Sequence, residues 1–338
     1  MSYRVAINGY GRIGQCVLRA LYENGYRENI QVVAINELSD IDTIAYLTRY
    51  DSTHGRFTDV VRVESDQLCI KNDRITVLNQ QNPGLLPWKE LNVDLVLECT
   101  GVFGHREGAE SHLQAGAGKV LFSQPAESNV DKTIVYGVNH AMLSSADSVV
   151  SNASCTTNCI VPVIKVLHDK LGIERGTTTT IHSAMNDQPT IDAYHHQDLR
   201  RTRSAMNNIV PVNTGLAKGI ERLLPEMTGR FSSVAIRVPT VNVSMLDLTI
   251  NVSRNTSVEE VNQVLSDASL NGLSGVLGYT EEPLASCDFN HDSRSGIVDG
   301  SQTQVSDSKL VKVLIWFDNE WGFANRMLDV ATTWLERS

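Results

Sequence analysis

Apolar and polar positions follow two regimes along this chain. In the first, short unbroken apolar runs recur, each ending in small or polar residues: Arg4-Val5-Ala6-Ile7-Asn8, Gln31-Val32-Val33-Ala34-Ile35-Asn36, Asp94-Leu95-Val96-Leu97-Glu98 and Lys119-Val120-Leu121-Phe122-Ser123. Unbroken runs of that length predict strands buried on both faces. Helical spacing lies between them, at Ile13, Val17, Leu18 and Leu21, and again over residues 106–115. Such alternation of strand and helix predicts a parallel sheet. Residues 60–78 alternate instead (Val61, Val63, Leu68, Ile70, Ile75, Val77), which predicts antiparallel hairpin strands at the periphery.

The second regime opens with a helical stripe at Ile160, Val163, Ile164, Val166, Leu167 and Leu171. The β-branched run Thr177-Thr178-Thr179-Thr180-Ile181 predicts a strand ending at His182, followed by a polar loop to about Asn208. Residues 231–252 and 308–317 alternate and predict a second, mainly antiparallel sheet, and a helix closes the chain. A chain of 338 residues exceeds what one core organises. The division expected is residues 1–154 with the closing helix 318–338 in one domain, and residues 155–317 in the other. The fold class is thus α/β, a Rossmann-type parallel-sheet domain plus an α+β domain.

Chemistry enters at the ends of these elements. Gly9-Tyr10-Gly11-Arg12-Ile13-Gly14 joins the first strand to the first helix. Glycines there give a tight turn, let a pyrophosphate approach backbone amides, and pack helix on sheet. Glu37 ends the second strand, where a carboxylate accepts bonds from both ribose hydroxyls and repels a 2′-phosphate, so the reading is NAD rather than NADP. Ser151-Asn152-Ala153-Ser154-Cys155-Thr156-Thr157-Asn158-Cys159 leads into the helical stripe, placing Cys155 at a helix N-terminus, where free amides and the helix dipole favour a thiolate. Cys159, one turn on, is expected to pack. Of the nine histidines, His182 is the one at a strand end leading into a long polar loop, and it is the candidate general base. Arg200-Arg201-Thr202-Arg203, Asn213-Thr214-Gly215 and Arg237 offer guanidiniums, hydroxyls and amides of the kind that hold phosphate.

Composition narrows the classes. A net charge of −10 without a basic run argues against nucleic acid as the main partner. No stretch has the apolar length of a membrane span, and the N-terminus enters a strand at once, so the cytoplasm is expected. Six scattered cysteines lack both a disulfide framework and zinc-site spacing, and no metal is expected.

The glycine motif, the cysteine nonapeptide and Asp318-Asn319-Glu320-Trp321-Gly322 together resemble the glyceraldehyde-3-phosphate dehydrogenase family nearly end to end. The resemblance implies Cys155 as nucleophile and His182 as base. It implies Gly9, Arg12, Ile13 and Glu37 at the adenosine and pyrophosphate of NAD, Thr100 and Ser123 along the cofactor cleft, and Asn319 at the nicotinamide. Ser154, Thr156, Thr214 and Gly215 match its inorganic-phosphate subsite; Asp187 and Arg237 match its substrate-phosphate subsite, with Arg203 near both. A homotetramer is also implied. Asn36-Glu37, Ser183-Ala184-Met185-Asn186-Asp187-Gln188 and Asp288-Phe289-Asn290-His291-Asp292 point to a branch oxidising a four-carbon sugar phosphate, with the acyl group released by water. Met185 stands where the family carries a threonine, Tyr194 where it often has proline, Phe323 where it often has tyrosine, and His195-His196-Gln197 is one residue longer than the common pattern. The alternatives are a phosphorylating glycolytic enzyme on the three-carbon sugar and a silent binding protein on the same fold.

Overall fold

The computed structural model describes residues 2–195 and 198–337, so His196 and Gln197 lie outside the described residues. The chain forms two compact units, residues 1–154 with 323–338, and residues 155–322. Residues 318–322 thus stay with the second unit.

The first unit runs β1 (Tyr3–Asn8), α1 (Arg12–Glu23), β2 (Ile30–Asn36), α2 (Ile41–Arg49), β3 (Tyr50–Asp51), β4 (Gly55–Arg56), β5 (Val61–Glu64), β6 (Gln67–Ile70), β7 (Asp73–Leu78), β8 (Leu95–Glu98), α3 (Arg106–Gln114), β9 (Lys119–Phe122), β10 (Lys132–Thr133) and β11 (Val149–Ser151). Strands β3 and β4 pair as a separate ribbon; the rest form one sheet in the order β10-β11-β9-β8-β1-β2-β7-β6-β5. It is parallel except at β5–β6 and β6–β7. The alternating segment 60–78 is therefore only partly peripheral, because its last strand, β7, pairs in parallel with β2 inside the sheet. Strand β1 has β2 on one side and β8 on the other. Connections leaving it in opposite directions open a crevice at the carboxyl ends of those three strands. Ala6, Val33, Val96, Val120 and Phe122 pack with Trp88 as one core under that sheet. Helix α2, which periodicity did not announce, starts at Asp40, whose carboxylate accepts the Thr43 amide at 2.8 Å.

The second unit runs α4 (Cys155–Leu171), β12 (Ile173–His182), β13 (Val210–Val212), α5 (Leu216–Leu223), β14 (Phe231–Arg237), β15 (Ser244–Val252), α6 (Val258–Leu270), β16 (Leu277–Thr280), β17 (Gly296–Ser306), β18 (Leu310–Phe317) and the start of α7 (Trp321–Leu335). Its sheet has the order β13-β14-β12-β15-β18-β17-β16. Pairing is antiparallel apart from β12–β14 and β16–β17. Along β15, Ser244, Leu246, Leu248, Ile250 and Val252 are buried while the intervening residues are half-buried, so one face is covered and the other open. Helix α4 lies on the covered face: a side chain at Gly296 of β17 would meet Cys159 Sγ at 3.1 Å. Cys159 is wholly buried there and packs. Among the described residues no helix is long and apolar enough to cross a membrane.

Candidate active site

The carboxyl edge of the parallel sheet carries the glycine loop. Gly9 has φ +88°, and a Cβ on it would lie 2.5 Å from the Thr100 amide nitrogen, so only glycine lets the ends of β1 and β8 approach. A Cβ on Gly14 would strike the Gly9 carbonyl at 2.3 Å, which sets α1 close against the loop. Gly11 differs. It caps α1 without a side-chain bond, and the position of its missing Cβ is open space. The first amides of α1, at Arg12 and Ile13, therefore face a cradle fit for a pyrophosphate. The Arg12 side chain turns away to Asp51 (2.5 and 3.2 Å). The Glu37 carboxylate accepts the Tyr10 amide and the Leu38 amide, each at 2.7 Å, and so is held beside the glycine loop.

Thr100 is fixed from below by a buried network. Glu98 accepts the Thr100 amide at 2.8 Å and its hydroxyl, Asn8 Nδ2 at 2.6 Å, and His112 Nε2 at 3.0 Å. The Trp88 indole donates to His112 Nδ1 at 2.9 Å, which makes His112 a neutral imidazole protonated on Nε2. Ser123 begins the turn after β9 and bonds the Cys99 thiol. These residues fit a dinucleotide at the sheet edge.

The second unit assembles the reactive groups. Strands β12 and β14 are parallel neighbours, with His182 opposite Arg237 in register. Paired residues share a face, here the buried face on which α4 lies. Cys155, the first residue of α4, reaches His182 with Sγ 3.8 Å from Nε2. The edge of the Phe317 ring rests on the imidazole, with centroids 6.1 Å apart. Nδ1 lies 2.8 Å from the Ser183 carbonyl and 2.5 Å from Arg237 Nη1. Burial first, and Arg237 second, push the His182 pKa down to about 4. Burial likewise pushes the Cys155 thiol up, against Arg237 and the Thr156 hydroxyl and amide, which pull it down. Burial thus opposes the thiolate that the helix terminus, Thr156 and Arg237 favour.

Asn319 is held by two buried hydroxyls: Ser183 Oγ donates to Oδ1 at 2.9 Å and Ser244 Oγ at 2.8 Å. Among the described residues its Nδ2 has no hydrogen-bond partner. Ser244 did not stand out in the sequence, and Ser183 entered only as the first residue of the segment that points to the four-carbon branch.

The phosphate candidates divide. Asp187 pairs with Arg201 at 2.9 Å, and both act electrostatically on Arg237. Arg203 belongs elsewhere: it pairs with Asp192 at 2.8 Å and its side chain is 60% exposed. Arg201 takes the place expected of Arg203, because the intervening 3-10 turn, Leu199–Thr202, sends the two guanidiniums in different directions. Thr214 and Gly215 stand at the N-terminus of α5, whose Gly219 comes close to Thr157 of α4 (a Cβ there would lie 3.2 Å from Oγ1). Two helix N-termini, at Thr156 and at Gly215, are thereby neighbours, while Ser154 is the half-buried residue just before α4. Met185 is 43% exposed and offers no donor.

The chain matches the family model "Glyceraldehyde 3-phosphate dehydrogenase, NAD binding domain" over residues 3–106 and "Glyceraldehyde 3-phosphate dehydrogenase, C-terminal domain" over residues 154–319. It belongs to the glyceraldehyde-3-phosphate dehydrogenase family. As a member it is an NAD-dependent oxidoreductase acting on a phosphorylated sugar aldehyde, and its cofactor is NAD.

Proposed function

We propose that this family member oxidises D-erythrose 4-phosphate to 4-phospho-D-erythronate through a thioester on Cys155 released by water, supplying an acid for pyridoxal phosphate synthesis. The contact of Cys155 with His182 carries the reading. His182 Nε2 takes the thiol proton as sulfur attacks the aldehyde carbon. The resulting alkoxide is stabilised by the imidazolium and by the Cys155 amide at the start of α4. NAD, when bound, supplies the acceptor for the electron pair and hydrogen lost by that carbon. His182 returns its proton to the alkoxide to give the thiohemiacetal, takes it back as that adduct loses hydride and becomes the thioester, and releases it to solvent. As a neutral base it then takes a proton from the attacking water and passes it to the leaving Cys155 sulfur, freeing the acid and the thiol. Asn319 orients the nicotinamide amide; Gly9, the Arg12 and Ile13 amides and Glu37 hold the rest, with Thr100 and Ser123 lining the cleft. Arg237 and Arg201 receive the substrate phosphate, and Asp187, in the same subsite, holds Arg201. Met185 lacks the hydroxyl that would grip a three-carbon phosphate at its usual distance, which favours a longer sugar.

One observation favours a second reading, a phosphorylating enzyme of the three-carbon sugar: the paired helix N-termini at Thr156 and at Thr214-Gly215 suit an attacking inorganic phosphate. NADH formation with erythrose 4-phosphate and with glyceraldehyde 3-phosphate, each with and without inorganic phosphate, separates the two. Faster, phosphate-indifferent turnover of the four-carbon sugar is expected. Phosphate-dependent preference for the three-carbon sugar overturns the proposal, and no NADH from either returns the silent reading.

The protein is further proposed to be a cytoplasmic homotetramer. Its cysteines are not joined by disulfides. Tyr194 is fully exposed, and Ile191, Leu199, Met206 and Ile209 on the same loop are also exposed, an apolar surface suited to a second copy.

A further inference from the structure

Asn319 stands where three strand ends meet. Strands β12, β15 and β18 are neighbours in the second sheet, with Ser244, the first residue of β15, opposite Phe317, the last of β18. Ser183 follows β12 directly, and Asn319 lies two residues beyond β18. All three side chains are buried, and a buried hydroxyl hydrogen needs an acceptor. Ser244 Oγ accepts the Ser183 amide at 3.1 Å and gives its one hydrogen to Asn319 Oδ1 at 2.8 Å; Ser183 Oγ donates to the same oxygen at 2.9 Å. The two hydroxyls are 3.5 Å apart, too far to replace those bonds with one between themselves. Turning the Asn319 amide over would bring Nδ2 to both hydroxyls and leave at least one of their hydrogens without an acceptor among the described residues. The serines therefore fix Oδ1 inward and Nδ2 outward. Val243, beside Ser244, is buried at φ +63°, a costly conformation for a β-branched residue and one that clusters at functional sites.

We propose that Ser183, with Ser244, is a positioning residue for the cofactor: the two hydroxyls lock the Asn319 amide so that Nδ2 alone faces the nicotinamide and donates to its carboxamide oxygen. The oxygen and nitrogen of an asparagine amide are nearly the same size, so packing cannot tell its two orientations apart, whereas hydrogen bonds can. A turned amide presents an acceptor, meets the carboxamide oxygen lone pair to lone pair, and loosens its hold on the ring that takes the hydride. Holding that ring in one pose is worth rate as well as affinity. The inference rests on the reading of Asn319 at the nicotinamide.

The test is calorimetric binding of four ligands to the native protein, S183A and N319A. The ligands are NAD; its 3-acetylpyridine analogue, which keeps the carbonyl oxygen and lacks the amide nitrogen; its thionicotinamide analogue, whose sulfur is a poor acceptor; and ADP-ribose, which has no nicotinamide. S183A removes one donor to Oδ1 and keeps the Ser183 amide bonded to Ser244. It should weaken NAD and the acetylpyridine analogue alike by roughly fivefold, the size of one hydrogen bond between neutral groups, the thionicotinamide analogue clearly less, and ADP-ribose not at all. S183C, with a similar volume and a weak donor, takes its place should S183A not fold. A loss on NAD and the thionicotinamide analogue with the acetylpyridine analogue spared means that Asn319 presents its oxygen, and overturns the proposal. Equal losses on all four ligands, as a distorted cleft would give, or native affinity for NAD, overturn it too. N319A tests the reading beneath: native NAD affinity there removes Asn319 from the nicotinamide, whereas a loss in N319A beside a native-like S183A overturns the role of Ser183 alone.

Discussion

The proton on Cys155 is subject to opposed forces. Helix amides, Thr156 and Arg237 favour the thiolate, and burial opposes it and prevails. His182 is held neutral by burial and by the same arginine. A histidine so placed is a cost to the fold in acid. The unfolded chain takes up a proton near the ordinary histidine pKa of about 6.5, and the folded chain does not until about 4. Through that window the unfolded state binds more protons, so stability falls as pH drops, by roughly 3 kcal/mol at most from this group. H182Q removes the term. Urea unfolding at pH 7 and at pH 4.5 should show a smaller acid loss for H182Q than for the native protein, and an identical loss would refute the assignment. The same variant should lower kcat by about a hundredfold or more, as loss of a general base does.

Elements were legible where periodicity is strong and illegible where a turn decides direction. The runs ending at Asn8, Asn36, Glu98 and Phe122 are strands because they are buried on both faces, and the pattern shows it. Helices α2 and α6 were not announced: in α6, only Val261 and Leu265 are fully buried, too thin a stripe to stand out. The pairing of β7 with β2 depends on a long-range register that no local pattern encodes. Arg201 and Arg203 differ by two positions on a turn without a face, so chemistry alone could not choose between them. Ala153, two residues before the nucleophile, has φ +57°, an unusual conformation for an alanine that sequence gives no reason to expect. The glycine loop offers a test at this scale. Gly9→Ala places a methyl on the Thr100 backbone at positive φ, and should cost about 2 kcal/mol or more of stability in the cofactor-free protein. Gly11→Ala meets only open space, at φ −73°, and should leave that stability unchanged. If a pyrophosphate lies in the cradle, Gly11→Ala should nonetheless weaken NAD binding at least tenfold by calorimetry, a loss of about 1.4 kcal/mol. Native NAD affinity in Gly11→Ala would place the pyrophosphate elsewhere.

At the scale of the molecule, the uncovered face of the second sheet is the feature a lone chain explains least. Strand parity puts Thr179, Val234 and Asp247 on one row, and Ile181, Ile236 and Met245 on the next, all opposite the face that bears His182 and α4. Leu314 continues that face on β18, where it opposes Asp247. One ion pair, Asp247 with Lys312 at 2.5 Å, interrupts it. Val234 is 51% exposed at its edge and Ile181, Ile236, Met245 and Leu314 are half-buried. A sheet face of this composition left in water forgoes roughly 25 cal/mol for each Å² of apolar area that a partner could cover. Closed symmetry makes a second copy the simplest partner, since the same face then meets itself across a twofold axis. A charge introduced there should be punished by desolvation, whereas in a monomer it would be a neutral surface change. Sedimentation equilibrium of the native protein is expected to give four chains, and Val234→Arg to shift the mass towards dimer or monomer with the fold intact by circular dichroism. A native monomer, or a Val234→Arg tetramer as tight as the native one, would leave this face without the role argued for it.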